Sequence, residues 1–179
     1  TVATGAPRRR ALLLAARPDL HVVGLRGNVA TRLAALEGKG VDAIVVAVAA
    51  LERLGLGGRV AERLDPGRFV PQVGQGAIAL ECAAAGDALG ALAAIDDEEA
   101  RQALTCERAF LAELGVGCDV PGGALATWSQ ATATVFGVLM SEDGAVVVRG
   151  SEVGEDPEQT GRRLAARLRE ALRERLAAP

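Results

Sequence analysis

The first seventy residues alternate in a way that few architectures accept. A short apolar start (Thr1 to Ala3) leads into helix-period "RRRALLLAA", strand-like "LHVVGL", helical "VATRLAALE", a continuous apolar "DAIVVAV" and helical "ALERLGL". Strand-like runs separated by helix-length segments cannot close as hairpins, so consecutive strands run parallel and the helices cover the sheet. The predicted architecture is βαβαβ. The following "GRFVPQVGQGAIALEC" reads as a linker and then a strand, with Gly74 and Gly76 marking a tight backbone.

From Asp96 the pattern changes. Asp96 with Glu99 predicts a capping box for a helix running to Leu114 and stopped by Gly115. Three strand-like runs follow, "ALATWSQ", "ATVFGVLM" and "AVVVRGSEV", and then a helix from about Pro157 to Leu176. The fold class is therefore α/β. A partial parallel-sheet domain occupies residues 1–70, a connecting segment 71–95, and a small α+β domain with a three-stranded antiparallel sheet 96–179.

Charge is distributed unevenly along this order. Residues 1–70 hold 11 Lys+Arg against 6 Asp+Glu, whereas residues 71–160 hold 3 against 15. The basic module lacks the interleaved aromatics of a nucleic-acid binder, because the chain has three Phe, one Trp and no Tyr. Small anions are the predicted partners. The longest apolar run, "VDAIVVAVAAL", falls short of the roughly 20 residues of a membrane span. Three cysteines, no metal-ligand spacing and no signal-peptide pattern at the start point to a reducing cytoplasm.

Two strand-to-helix turns carry the anion chemistry. In "TGAPRRR", Pro7 suits a first helical position, so Thr4, Gly5 and Ala6 form the turn and Arg8 and Arg9 the first helical turn. In "LRGNVATR", Arg26 ends a strand, Asn28 caps the next helix and Arg32 lies one turn inside it. Free backbone N–H groups, a helix dipole and guanidinium forks then meet at the carboxyl edge of a parallel sheet, where α/β ligands bind. Arg53 starts near the edge of the third strand; taken alone, it reads as a surface charge.

Among the thiols, Cys106 shares an apolar helix side with Ala103, Phe110 and Leu114, and Cys82 ends a strand-like run. Both read as structural. Cys118 has no apolar periodicity around it and lies between Gly117 and Asp119 in "GVGCDVPGG", a loop composition that leaves room for a bulky group. It is a candidate attachment point or nucleophile, or else a plain free thiol.

The stretches "LRGNVATRLAALEGKGVDAIVVAVAALERLGL", "PQVGQGAIALEC" and "GVGCDVPGGA", in one register, resemble the porphobilinogen deaminase (hydroxymethylbilane synthase) family. The resemblance implies a cytoplasmic, monomeric transferase of tetrapyrrole (porphyrin and haem) biosynthesis. Such an enzyme condenses four porphobilinogen units head to tail into hydroxymethylbilane and releases ammonia. It further implies a dipyrromethane cofactor joined to Cys118 by a thioether and held by Arg8, Arg9, Arg26 and Arg32. Arg8, Arg26, Arg32 and Arg53 are implied for porphobilinogen and the growing polypyrrole, whose rings each carry an acetate and a propionate. By the same resemblance, the sequence begins inside the family's second domain. The family's catalytic aspartate then has no counterpart here, and residues 71–95 return toward the first domain. Gly5 and Ala6 stand where the family usually has serines, Asp119 where it has glutamine and Gly122 where it commonly has isoleucine. The alternative reading is a non-catalytic small-anion binding module of the same periplasmic-binding-like architecture. RGN-x-x-TR together with an anchor thiol in a glycine-containing loop separates the two.

Overall fold

The computed structural model describes residues 1–38, 40–83, 88–115 and 121–178. The first module holds three strands, β1 (Val2–Ala3), β2 (Val22–Val23) and β3 (Ala43–Ile44), with β1 in the middle and both neighbours parallel to it. Between and after them run α1 (Pro7–Ala16), α2 (Val29–Ala34) and α3 (Val48–Arg53), with a 3₁₀ turn at Gly57–Arg59. Because the chain leaves β1 first to one side and later to the other, a crevice opens at the carboxyl end of β1. The turns that follow β1 and β2 both border it.

Pro7 opens α1, where its missing N–H is no loss, but the N-cap Ala6 has an extended backbone and supplies no side-chain cap. Ala6→Ser is expected to give that helix a hydroxyl acceptor and to stabilise the fold by about 1 kcal/mol, read as a raised thermal midpoint. Asn28, in contrast, caps α2, its Oδ1 accepting from the Thr31 N–H at 2.9 Å.

A short helix α4 (Ala88–Ala93) lies in the connecting segment; the second module runs from α5 (Glu98–Leu114) through β4 (Gly122–Ser129), β5 (Thr132–Met140) and β6 (Val147–Gly154) to α6 (Pro157–Ala177). The sheet is antiparallel in the order β4-β5-β6. Gln130 and Ala131, both with positive φ, make the two-residue hairpin that sets Ser129 opposite Thr132. Cys106, Phe110, Val135, Leu139, Leu164 and Leu168 form the main core between one sheet face and the helix pair α5 and α6.

The other sheet face is covered from the first module. Ala11 and Leu12 of α1 pack with Val70, Val138 and Met140 in a second core. Gly144 permits this, since a Cβ there would stand 2.4 Å from the Ala11 carbonyl oxygen. The sheet is thus sandwiched, and the start of α1 is brought beside the start of β4 and the end of α5.

Four expectations differ from the structure. Strand β2 ends at Val23, so Arg26 lies in the turn beyond it and does not end the strand. The cap of α5 is Asp97, whose carboxylate accepts from the Ala100 N–H at 3.0 Å, while Asp96 pairs with Arg101 at 2.9 Å. Helix α4 was not expected. The strand expected over "AIALEC" does not form within residues 77–83. Ile78 and Leu80 stand exposed there, and a strand needs a neighbour to pair with; among the described residues none lies alongside.

Candidate anion cleft between the two modules

Sequence dictates the floor of the cleft. At Gly5 a Cβ would sit 2.4 Å from the Leu25 carbonyl oxygen, so in this chain the turn after β1 lies directly against the turn after β2. Around these turns opens a cleft of about 1010 Å³. One wall carries Arg8, Arg10 and Arg26; the other carries Phe110, Leu111 and Leu114 of α5 with Pro121, Gly122 and Gly123 leading into β4.

Arg8 is the most constrained of the cations. It is 6% exposed, donates through Nη1 to the Val70 carbonyl and fits beside Gly123, where a Cβ would approach its Cδ to 3.0 Å. Its Nε is buried and has no partner among the described residues. Burial, with a smaller contribution from Arg9, pulls its pKa down to about 10, which still leaves it charged at neutral pH. Arg8 is thus a largely buried cation on the cleft lining.

Arg9 donates to the Val45 carbonyl at 3.0 Å, and its pKa is lowered by burial and then by Arg32. Arg32 reaches the Gly27 carbonyl through Nε at 2.8 Å. These two cations therefore sit near each other, and neither lines the cleft. Arg26 is exposed at the cleft edge. Among the described residues, no carboxylate pairs with Arg8, Arg9, Arg26 or Arg32. Arg53 is exposed in the last turn of α3 and does not line the cleft.

Three polar residues of the lining carry no signal in the sequence alone. Arg10 lies in the same "RRR" run, yet helical spacing gave no sign that it borders the cleft, where it donates to the Val22 carbonyl at 2.5 Å. Gln72 comes from the connecting segment, and Glu142 from the β5–β6 hairpin. The segment around Gln72 is held by Glu107, whose buried carboxylate accepts from the Gly74 N–H at 2.7 Å and the Ala126 N–H at 2.9 Å.

The thiols divide sharply. Cys106 is wholly buried, and its pKa is pushed up to about 11 by burial and by Glu107. Cys82 is half-buried and away from the cleft lining. Cys118 lies outside the described residues.

Residues 1–90 match the family model described as "Porphobilinogen deaminase, dipyromethane cofactor binding domain", and residues 101–170 match the one described as "Porphobilinogen deaminase, C-terminal domain". The chain belongs to the porphobilinogen deaminase family. A porphobilinogen deaminase of Stenotrophomonas maltophilia (strain R551-3) is 45% identical over 173 residues, 95% of this chain and 57% of the relative. That of Roseiflexus sp. (strain RS-1) is 46% identical over 161 residues, 89% of this chain and 53% of the relative. That of Bacillus mycoides (strain KBAB4) is 45% identical over 168 residues, 92% of this chain and 54% of the relative. The chain thus spans about half the length of the curated relatives it matches. Both modules of the cleft fall within the two porphobilinogen deaminase matches, the arginine turns in the first and the α5 wall in the second. Among the described residues no helix is long and apolar enough to cross a membrane.

Proposed function

We propose that this chain forms the polypyrrole-binding part of a cytoplasmic, monomeric hydroxymethylbilane synthase, which condenses porphobilinogen head to tail with release of ammonia. In this reading residues 1–70 bind carboxylates, residues 71–95 return to a further domain of the enzyme, and residues 96–179 anchor the cofactor. One observation carries it: Arg8, Arg10 and Arg26, none of them paired with a carboxylate among the described residues, line a cleft whose opposite wall contains both Leu114 and Pro121. Cys118, which the family resemblance implies as the cofactor's anchor, lies between these two residues in the sequence.

The residues present suit a dipyrromethane. Its acetate and propionate arms are anionic, and the buried, unsatisfied N–H of Arg8 asks for such an acceptor. The volume lies at the upper end of the range of roughly 300–1,000 Å³ found for small-molecule sites, so it leaves space beside the cofactor. When bound, the dipyrromethane supplies the pyrrole carbon to which the first unit is joined. Arg8 holds a carboxylate arm at the start of α1, where the helix dipole adds to its charge. Arg9 and Arg32 offer a second anion position, and Arg26 at the rim meets carboxylates of the later rings. Phe110, Leu111 and Leu114 give the rings an apolar wall and exclude water from one side.

Intact-mass measurement of the whole protein tests this directly. A two-pyrrole adduct together with porphobilinogen consumption supports the reading, whereas a bare chain that binds small anions without turnover replaces it with the binding-module alternative. Within the active protein, Arg26→Leu is expected to remove a charge-assisted contact of about 1.5–3 kcal/mol, a loss of roughly 10- to 100-fold in kcat/KM with intermediates accumulating. Unchanged turnover and intermediates would return Arg26 to a solvated surface role.

A further inference from the structure

The last turn of α5 builds part of the cleft through Phe110, Leu111 and Leu114, yet it contains no basic residue of its own. A helix end leaves its final carbonyls without intrahelical partners and carries partial negative charge, so it needs donors or a cation from elsewhere. Gly115 meets one of them, its N–H reaching the Ala112 carbonyl at 3.1 Å. The Glu113 carbonyl is met from a distant part of the chain. Arg169 of α6 donates through Nη1 to that carbonyl at 2.5 Å and through Nη2 to the Glu113 carboxylate at 2.9 Å. Arg162 stands 4.0 Å from the other carboxylate oxygen.

Helix α6 is a firm base for such a grip. It lies close against α5 at Gly161, and its Leu164, Leu168 and Leu172 are buried in the main core. The forked guanidinium spans a carbonyl and a carboxylate of the same residue, which an ammonium cannot do with equal geometry. Leu114, the next residue, is buried and lines the cleft.

We infer that Arg169 is a positioning residue: by gripping Glu113 it fixes the last turn of α5 and so sets the cleft wall against which the cofactor and its pyrrole chain bind. The inference rests on the proposed function of the cleft. Its effect is transmitted through α5, since Arg169 itself does not line the cleft.

The test uses the whole protein with Arg169→Ala, Arg169→Lys and, as a control of similar surface character, Arg163→Ala, which removes a pair with Glu152 away from α5. Hydrogen exchange of the amides from Glu113 to Gly115 reads the grip itself. Cofactor occupancy by intact mass and kcat/KM read its consequence. Arg169→Ala is expected to speed exchange at these amides and to lower kcat/KM or occupancy by about 10- to 100-fold, the range that a misplacement of order 1 Å produces. Arg169→Lys, which keeps the ion pair, falls between, and Arg163→Ala leaves all three readings at wild type. If Arg169→Ala does not fold, the lysine variant carries the comparison.

Faster exchange with wild-type occupancy and kcat/KM would make Arg169 a structural residue only and overturn the inference, and so would unchanged exchange. A wild-type protein with neither adduct nor turnover is a different failure. It removes the functional reading, while the exchange measurement still reports whether Arg169 holds the helix end.

Discussion

In the whole protein, Cys118→Ala is expected to carry no covalent adduct and to lose activity entirely, with Cys82 and Cys106 both intact. A thioether anchor must be reachable by a bulky pyrrole and must present a thiolate during attachment. Cys106 fails on both counts: it is wholly buried among core side chains, and its pKa of about 11 keeps it protonated at neutral pH. Cys82 is partly accessible, but the cleft is lined by other residues. Cys118 lies in the sequence between Leu114 and Pro121, both of which line the cleft. A matched Cys82→Ala variant is expected to keep adduct and turnover. Mass spectrometry and porphobilinogen consumption decide the matter together, and a two-pyrrole adduct persisting in Cys118→Ala would move the anchor to another residue.

How far the sequence foretold this arrangement depends on the range of the interaction concerned. Alternating apolar runs and helix-period segments are local signals, and they placed β1, α1, β2, α2 and β3 in order, as well as α5, the antiparallel strands and α6. The Asp96 cap was wrong by one residue because Asp96 and Asp97 both precede helix-forming chain, and only the bond from the Ala100 N–H distinguishes them. Helix α4, "ALGALA", is short, has no buried residue and so carries no apolar period to detect. The alternation of "AIALEC" is a genuine strand signal, but pairing is a property of two segments and cannot be inferred from one.

The cleft shows the same division. Arg8 and Arg26 were visible as turn residues, and the structure puts both on the lining. Burial of Arg8 was not visible, because it depends on Val70 and on the absent side chain of Gly123, which come from distant parts of the chain. Likewise, nothing local to β5 shows that Val138 and Met140 face a second core made with α1. The grip of Arg169 on Glu113 spans 56 residues and leaves no mark in helical spacing.

Gly161→Ala is expected to destabilise the protein by about 2 kcal/mol, because two opposing effects of unequal size meet at one position. Alanine is the better helix former, and inside a helix the exchange alone should gain up to about 1 kcal/mol. At Gly161, however, the new Cβ would stand 2.1 Å from the Cys106 carbonyl oxygen and 2.9 Å from the Phe110 nitrogen. Both atoms belong to the backbone of α5, so no side-chain rotation can relieve the overlap, and α6 must move away from α5. That shift loosens Cys106, Phe110, Leu164 and Leu168, which fill the main core between the helices. Overpacking of this kind costs about 1–3 kcal/mol and at times more, which exceeds the gain in helix propensity. For a chain of this size the thermal midpoint should fall by roughly 4–8 °C. Gly90 supplies the comparison, since it lies within α4 and a Cβ there meets nothing within 4 Å. Gly90→Ala is expected to raise the midpoint slightly or leave it unchanged. Equal midpoints for the two variants would show that α6 can withdraw from α5 without loss, and that the close helix contact is not what holds this half of the cleft in place.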